Sequence, residues 1–263
     1  MQKAIVLHTD ILGFKKIIED SSSETNDATL NKLKSILSES AAMLTNMRLI
    51  ITSNIKLQFK QFSDNLYASF SYSDIKKDSF ADAFEACILF ARVYYETMLQ
   101  NKLTIRGGIS FGNDYSDETI IFSHALVKAY ILESEKAKYP RIVIDDALII
   151  KVQKEYATSR TFDKVINNSI LKDQENIYFL NPCGLDKDFL SDTNELLAEE
   201  SHRNFIKKQI KFARSVIFKL DKNKEEDYRI IKKYEWLTEI LLWNVEQRQI
   251  LKNSINNFEL QKF

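Results

Sequence analysis

The 263-residue chain is long enough for one large domain, or a catalytic domain with a smaller appendage. Lys+Arg and Asp+Glu both number 37, which argues against a duplex-DNA binder, since those carry a basic surplus. Hydrophobic residues make up 44 %, enough for a real core. No apolar run approaches the roughly 18 residues of a membrane helix, the N-terminus has no signal-peptide layout, and Cys87 and Cys183 form no metal-type pair. These features point to a reduced, cytoplasmic setting with no membrane partner.

The elements are predicted as follows. Residues 3–9 are a buried strand, carrying the apolar run Ile5-Val6-Leu7. A helical pattern runs from Leu12 to about Asp20, a polar loop from Ser21 to Thr29, and an amphipathic helix from Leu30 to Met47. Ile55 to Phe62 alternates as a half-buried strand, Ser63-Asp64 forms a turn, and Asn65 to Phe70 is the hairpin partner. Phe80 to Leu99 is an apolar helix and Leu103 to Phe111 a strand. Glu118 to Ile121 is read as another strand, Ser123 to Ala137 as a helix, and Arg141 to Ile144 as a strand. A ferredoxin-like βαββαβ core lies within this order, so the fold class is α+β. The core is placed at 1–150 and a mostly helical extension at 151–263. Within the extension, Ile177 to Leu180 is a possible strand, and Leu197–Leu220 and Glu225–Asn256 are long helices, packed on the core or used in dimerisation. Trp236 and Trp243, seven residues apart, fall on one helical face and suit packing of the tail.

Four of the five glycines lie in two short motifs that also carry charged residues. Asp10 ends the first strand and is followed by Leu12-Gly13-Phe14. A strand-end carboxylate suits a hard metal ion, and the amides at the next helix start suit phosphate oxygens; a helix cap is the competing reading. Asp64 is an ordinary turn residue taken alone. On a βαββαβ sheet, however, Asp10 and Asp64 meet at one sheet edge, where two divalent ions can be shared. Arg106 opens Arg-Gly-Gly-Ile-Ser-Phe-Gly; a strand arginine calls for an anionic partner, either a ligand or a protein carboxylate. His124 reads as a surface or dimer-contact residue, and Glu133 as a helix salt-bridge partner.

Thr9-Asp10-Ile11-Leu12-Gly13-Phe14, Phe62-Ser63-Asp64-Asn65 and Arg106-x-Gly108-x-x-x-Gly112 resemble, in order and spacing over residues 3–150, the class III nucleotidyl cyclase family. Within it, Phe62-Ser63-Asp64, Arg106-Gly107-Gly108-Ile109-Ser110, Ala129-Tyr130-x-Leu132-Glu133 and Tyr139-Pro140-Arg141-Ile142 are most similar to the antiphage pyrimidine cyclases of Pycsar systems. The resemblance implies two Mg²⁺ or Mn²⁺ ions held by Asp10 and Asp64 with the Ile11 carbonyl, and a triphosphate on the Gly13 and Phe14 amides. It implies a head-to-tail homodimer with shared sites, a nucleoside triphosphate (CTP or UTP) cyclised with loss of pyrophosphate, and a product that acts on a separate effector. The positions at which purine cyclases carry Asn and Arg fall on Val127 and Ile131, so the transition-state cation is expected from Arg106 or Lys128. The adenine-reading acid falls on Ile120, whereas Lys60 matches a base-reading lysine; as a strand residue Lys60 can equally face solvent. A purine cyclase and a catalytically silent nucleotide-binding module are the alternatives.

Overall fold

The computed structural model of the chain describes residues 1–21, 27–50, 55–76, 78–156, 169–184 and 195–260. Most of the loop expected at Ser21–Thr29 lies outside these residues. The chain divides into two units, Met1–Pro182 and Cys183–Phe263.

The first unit is built on an eight-stranded sheet. Its strands are β1 (Gln2–Ile11), β2 (Lys56–Phe62), β3 (Asn65–Tyr72), β4 (Ile105–Ser116), β5 (Ile121–Ser123), β6 (Ile142–Ile144), β7 (Ile170–Lys172) and β8 (Tyr178–Leu180). The order across the sheet is β2-β3-β1-β4-β6-β8-β7, with β5 paired to β4. Strand β1 is central and runs antiparallel to both β3 and β4, while β4 and β6 are parallel. The helices of this unit are α1 (Phe14–Ser21), α2 (Asp27–Ile50), α3 (Ser79–Gln100), α4 (His124–Ile131) and α5 (Asp146–Tyr156). Through β6, this is the expected order of elements.

Strand periodicity sends Ile5, Leu7, Thr9 and Ile11 to one face of β1, and Ala4, Val6, His8 and Asp10 to the other. Helix α3 packs on β1 and β3, with Phe70 edge-on to Phe90 at 5.3 Å. Ile5, Leu7 and Phe70 are fully buried, and each such side chain contributes about 1.5–3 kcal/mol. On the opposite face, Ala4, Val6, Tyr67 and Ala125 form a cluster under α4. Gly108 sits where α4 crosses β4. A Cβ there would lie 2.1 Å from the Ala129 carbonyl oxygen, so only glycine permits this crossing distance.

Several boundaries differ from the sequence reading. Of the strand expected at Glu118–Ile121, residues 118–120 form a turn instead: the Asp117 carboxylate accepts from the Thr119 and Ile120 amides, both at 2.8 Å. The strand itself begins at Ile121. The helix expected over Ser123–Ala137 ends at Ile131 and passes into a π-helical turn, Leu132–Lys136. Helix α5 was not anticipated. Nor was β7, and with β8 it carries the sheet past residue 150, into the segment read as the start of the helical extension. Arg141 is buried beside β6 and donates to Asp173 at 2.6 Å, tying β6 to the turn before β8.

The second unit contains α6 (Glu195–Phe218) and α7 (Glu225–Leu260). The two helices pack on each other, with Phe212 edge-on to Tyr234 at 5.8 Å. Glu225, Glu226 and Asp227 occupy the first turn of α7, where the helix dipole favours negative charge. Trp236 is half-buried and Trp243 is exposed. Among the described residues no helix is long and apolar enough to cross a membrane. Cys87 and Cys183 are buried free thiols.

Candidate active site

Asp10 lies one residue from the end of β1, paired in register with Asn65 on β3 and Arg106 on β4. Pairing on both sides fixes its backbone. The Leu12 amide then donates to the Thr104 carbonyl at 2.9 Å, and Gly13, at φ +78°, turns the chain into α1. Phe14 is the first helical residue, so its amide belongs to the set that a helix cannot satisfy internally. Ile11 buries its side chain beside Ile105, leaving its carbonyl at the strand end next to Asp10.

Asp64 arrives from the two-residue β2–β3 turn, in which Ser63 takes φ 54°. The Asn65 side chain donates through Nδ2 to Asp64 Oδ1 at 3.1 Å. Since Asn65 is the register partner of Asp10, the turn delivers Asp64 to within hydrogen-bonding reach of Asp10. The structure thus brings together the two aspartates singled out from the sequence.

Arg106 joins them. Its Nε lies 3.2 Å from Asp10 Oδ2 and 2.5 Å from Glu133 Oε1. Glu133 is only 3 % exposed. It is the second residue of the π-helical turn, which directs its carboxylate at β4. Two carboxylates, Asp10 and Glu133, therefore contact one guanidinium, with Asp64 beside Asp10. Burial, reinforced by Asp64, raises the Asp10 carboxyl above its ordinary range against the opposing pull of Arg106. Burial raises Glu133 as well, again against Arg106. Among the described residues no three His, Cys, Asp or Glu side chains form a self-sufficient metal cage. Magnesium does not need one: it is bound through one or two carboxylates together with substrate phosphates. The hard oxygen donors of Asp10 and Asp64, and the surplus of negative charge they share, fit Mg²⁺ or Mn²⁺.

Beside this cluster is a cavity of about 610 Å³ whose walls include His8, Lys60, Tyr67, Glu118, Thr119 and Tyr130. Lys60 is half-buried in that wall. His8 sits edge-on to Tyr130 at 5.6 Å, and burial holds its imidazole below the usual value. The Tyr67 hydroxyl donates to the fully buried Asp114 at 2.9–3.0 Å, as does Ser69 at 2.7 Å. Burial pushes the Tyr67 phenol far up. Lys128, the other candidate cation, lies instead over the Phe111 ring at 5.4 Å, in a second cavity of about 450 Å³ that also contains Lys3 and His124. Ile120, Val127 and Ile131 are exposed and apolar.

Sequence reasoning had Glu133 as an ordinary helix partner; its ion pair is to Arg106, 27 positions away in sequence. It had not singled out His8, Tyr130, Glu118 or Thr119. The available signals were the Ala129-Tyr130-x-Leu132-Glu133 motif and, for His8, its place two residues before Asp10 on the same strand face.

No protein-family model matches the chain, and no curated protein matches it. Similar solved structures include the guanylyl cyclase domain of a RhoGC fusion protein from the aquatic fungus Blastocladiella emersonii, with 17 % identity and a TM-score of 0.43, covering 68 % of this chain and 94 % of that one. Another is the guanylate cyclase domain of RhGC from Catenaria anguillulae in complex with GTP, with 15 % identity and a TM-score of 0.39 over 68 % and 96 %. A class III adenylyl cyclase-like ATP-binding protein from Pseudomonas aeruginosa shows 16 % identity and a TM-score of 0.39 over 60 % and 37 %.

Proposed function

We propose that this chain is a nucleotidyl cyclase that converts a nucleoside triphosphate, CTP or UTP, to its 3′,5′-cyclic nucleotide and pyrophosphate. The observation that carries the reading is the Asp10–Asp64 carboxylate pair beside Arg106 at one end of the central strands. In the reaction the ribose 3′ oxygen bonds to the α-phosphorus, the bond from that phosphorus to the pyrophosphate oxygen breaks, and the 3′-hydroxyl proton is released to water. Asp10 and Asp64, with the Ile11 carbonyl, would hold Mg²⁺ or Mn²⁺, which would supply Lewis-acid stabilisation of the attacking oxygen and of the triphosphate charge. The Gly13 and Phe14 amides receive phosphate oxygens at the start of α1. Arg106, restrained by Asp10 and Glu133, places a fixed positive charge where negative charge develops, and Lys60 meets the base in the larger cavity. Most of the acceleration is then positioning and electrostatics.

The pyrimidine reading is supported by exposed, apolar Ile120, Val127 and Ile131 at the positions where the resemblance expects purine-reading and Asn/Arg side chains. Phe62, 80 % exposed beside Asp64, supports burial of this edge by a second copy in a homodimer with shared sites. The Pycsar resemblance suggests that the product is an antiphage signal acting on a separate effector. Incubation with each of the four triphosphates and Mn²⁺, followed by mass spectrometry, tests the activity. A cyclic pyrimidine nucleotide is expected; a cyclic purine would move the chain to the purine cyclases, and no product would favour a silent binding module.

A further inference from the structure

The chain is neutral as a whole, but its charge is unevenly spread. Between Glu200 and Asp221 there is no acidic residue, against six lysines and arginines. Most of them fall on one side of α6. Ile206, Ile210 and Ala213 are buried and Phe212 lies against Tyr234 of α7, so that side of the helix is the packed one. At about 100° per residue, Arg214, Lys207, Phe218 and Lys211 lie within about 60° of one another on the opposite side, and Lys208 widens this face to about 120°. All five are exposed, as is Lys219 just past the helix end. Lys207, Lys208, Lys211, Arg214 and Lys219 make no ion pair among the described residues. Phe218, in line with them, is 92 % exposed.

We infer that this face of α6 binds single-stranded nucleic acid, a function independent of the cyclase reading. Five cations without protein partners, strung along about 17 Å of helix, fit a polyanion, because no ion pair has to break when phosphates arrive. Overall neutrality does not oppose this: the electrostatic footprint of a nucleic-acid binder is a local stripe of Lys and Arg along one helix face. The aromatic ring decides between the polyanions. A helix that lies on an anionic bilayer turns an apolar face into the lipid, whereas the apolar side of α6 is turned to α7 and its exposed face carries a single ring. A duplex keeps its base faces stacked inside and offers that ring nothing. A single strand offers free base faces, and cations combined with an aromatic platform are how such strands are held without sequence preference.

The test is fluorescence anisotropy of labelled oligouridylate and oligothymidylate with the full-length protein, without metal. Binding of either is expected, and the pair tells RNA from DNA as the strand taken. For five cations the affinity should fall with salt at a logarithmic slope of about −3.5, a loss of about 100-fold between about 50 and 200 mM NaCl. The fourfold variant Lys207→Gln, Lys208→Gln, Lys211→Gln, Arg214→Gln should lose most of the affinity and flatten the slope to about −0.7. Phe218→Ala should weaken binding about fivefold or more and leave the slope as it is. The control neutralises four exposed lysines of the first unit, Lys34, Lys56, Lys102 and Lys138, which changes net charge equally and should change neither quantity. Should the fourfold variant melt early, Arg214→Gln alone serves, with the slope reduced by about 0.7. No binding at about 50 mM NaCl, an affinity unmoved by the α6 substitutions or by Phe218→Ala, or an equal loss in the control would overturn the inference. So would a duplex bound as tightly as the single strand, or uptake by phosphatidylserine vesicles without oligonucleotide binding. Displacement of the oligonucleotide by CTP with Mg²⁺ would also overturn it, by placing the strand at the carboxylate pair of the first unit.

Discussion

Gly108→Ala tests whether the site depends on the distance at which α4 crosses the sheet. The added Cβ would stand 2.1 Å from the Ala129 carbonyl oxygen and 2.9 Å from Leu132 Cβ. The first of these is helix backbone, with no rotamer to change. Restoring the 3.4 Å at which ordinary contact begins requires α4 to withdraw by about 1.3 Å. Overpacking of this kind costs about 1–3 kcal/mol. For a unit of 182 residues that is a fall of about 2–12 °C in melting temperature. The larger effect is on activity. Glu133 follows α4 directly, and its 2.5 Å contact to Arg106 does not survive a shift of that size. Misplacement by about 1 Å costs on the order of 100-fold in rate. Gly112→Ala is the control: it also faces α4, but its nearest contact is 3.4 Å, so it should be close to neutral. Circular dichroism melts and initial rates of cyclic nucleotide formation measure both. A Gly108→Ala protein with wild-type rate and stability would refute the argument that this crossing distance sets the site.

Three further outcomes are expected. Mn²⁺ in excess should raise the melting temperature of the wild-type protein, about 2.7 kcal/mol at 100 times Kd, but not that of Asp10→Asn or Asp64→Asn; equal shifts in all three would remove these aspartates as metal ligands. His8 is held below its ordinary pKa of 6.5 by burial, so the unfolded chain takes up a proton that the folded chain resists. Its contribution to stability is therefore complete above pH 6.5 and declines as the pH falls below it. Urea midpoints from pH 5 to 8 should lose part of this slope in His8→Gln, and identical slopes would contradict the assignment. Phe62→Asp, at an 80 % exposed position, should convert a dimer to monomers in sedimentation analysis without lowering the melting temperature; an unchanged dimer would place the contact elsewhere.

What was legible in the sequence is what local physics controls. Asp10 and Asp64 could be placed at one sheet edge because a buried strand ending in Asp and a polar hairpin turn are short-range patterns, and antiparallel pairing of β1 with β3 then brings them together. Arg106 was legible only as a strand arginine in need of an anionic partner; its place opposite Asp10 is set by the β1–β4 register. Residues 118–120 misled because Thr119, Ile120 and Ile121 carry strand propensity; the Asp117 side chain satisfies the Thr119 and Ile120 amides in a turn instead. Helix α5 was readable in principle: Leu148, Ile149 and Val152 are buried at helical spacing, and Asp145 accepts from the Ala147 amide at 3.0 Å. The three-residue strands β7 and β8 are too short to carry a period. Glu133 was hidden for a different reason. Regular α-helical spacing does not anticipate the π-helical turn that aims it, and its partner lies on a distant strand, a pairing set by tertiary packing.

The central claim is that Asp10 and Asp64 support cyclisation of a pyrimidine nucleoside triphosphate. The most direct measurement is parallel quantification of cyclic nucleotide and pyrophosphate from CTP and UTP with Mn²⁺, in wild type and in Asp64→Asn shown by its melting curve to be folded. Equimolar cyclic pyrimidine nucleotide and pyrophosphate from wild type, with neither from Asp64→Asn, is the predicted result. Equal product from both proteins, or pyrophosphate released without any cyclic nucleotide, would contradict it.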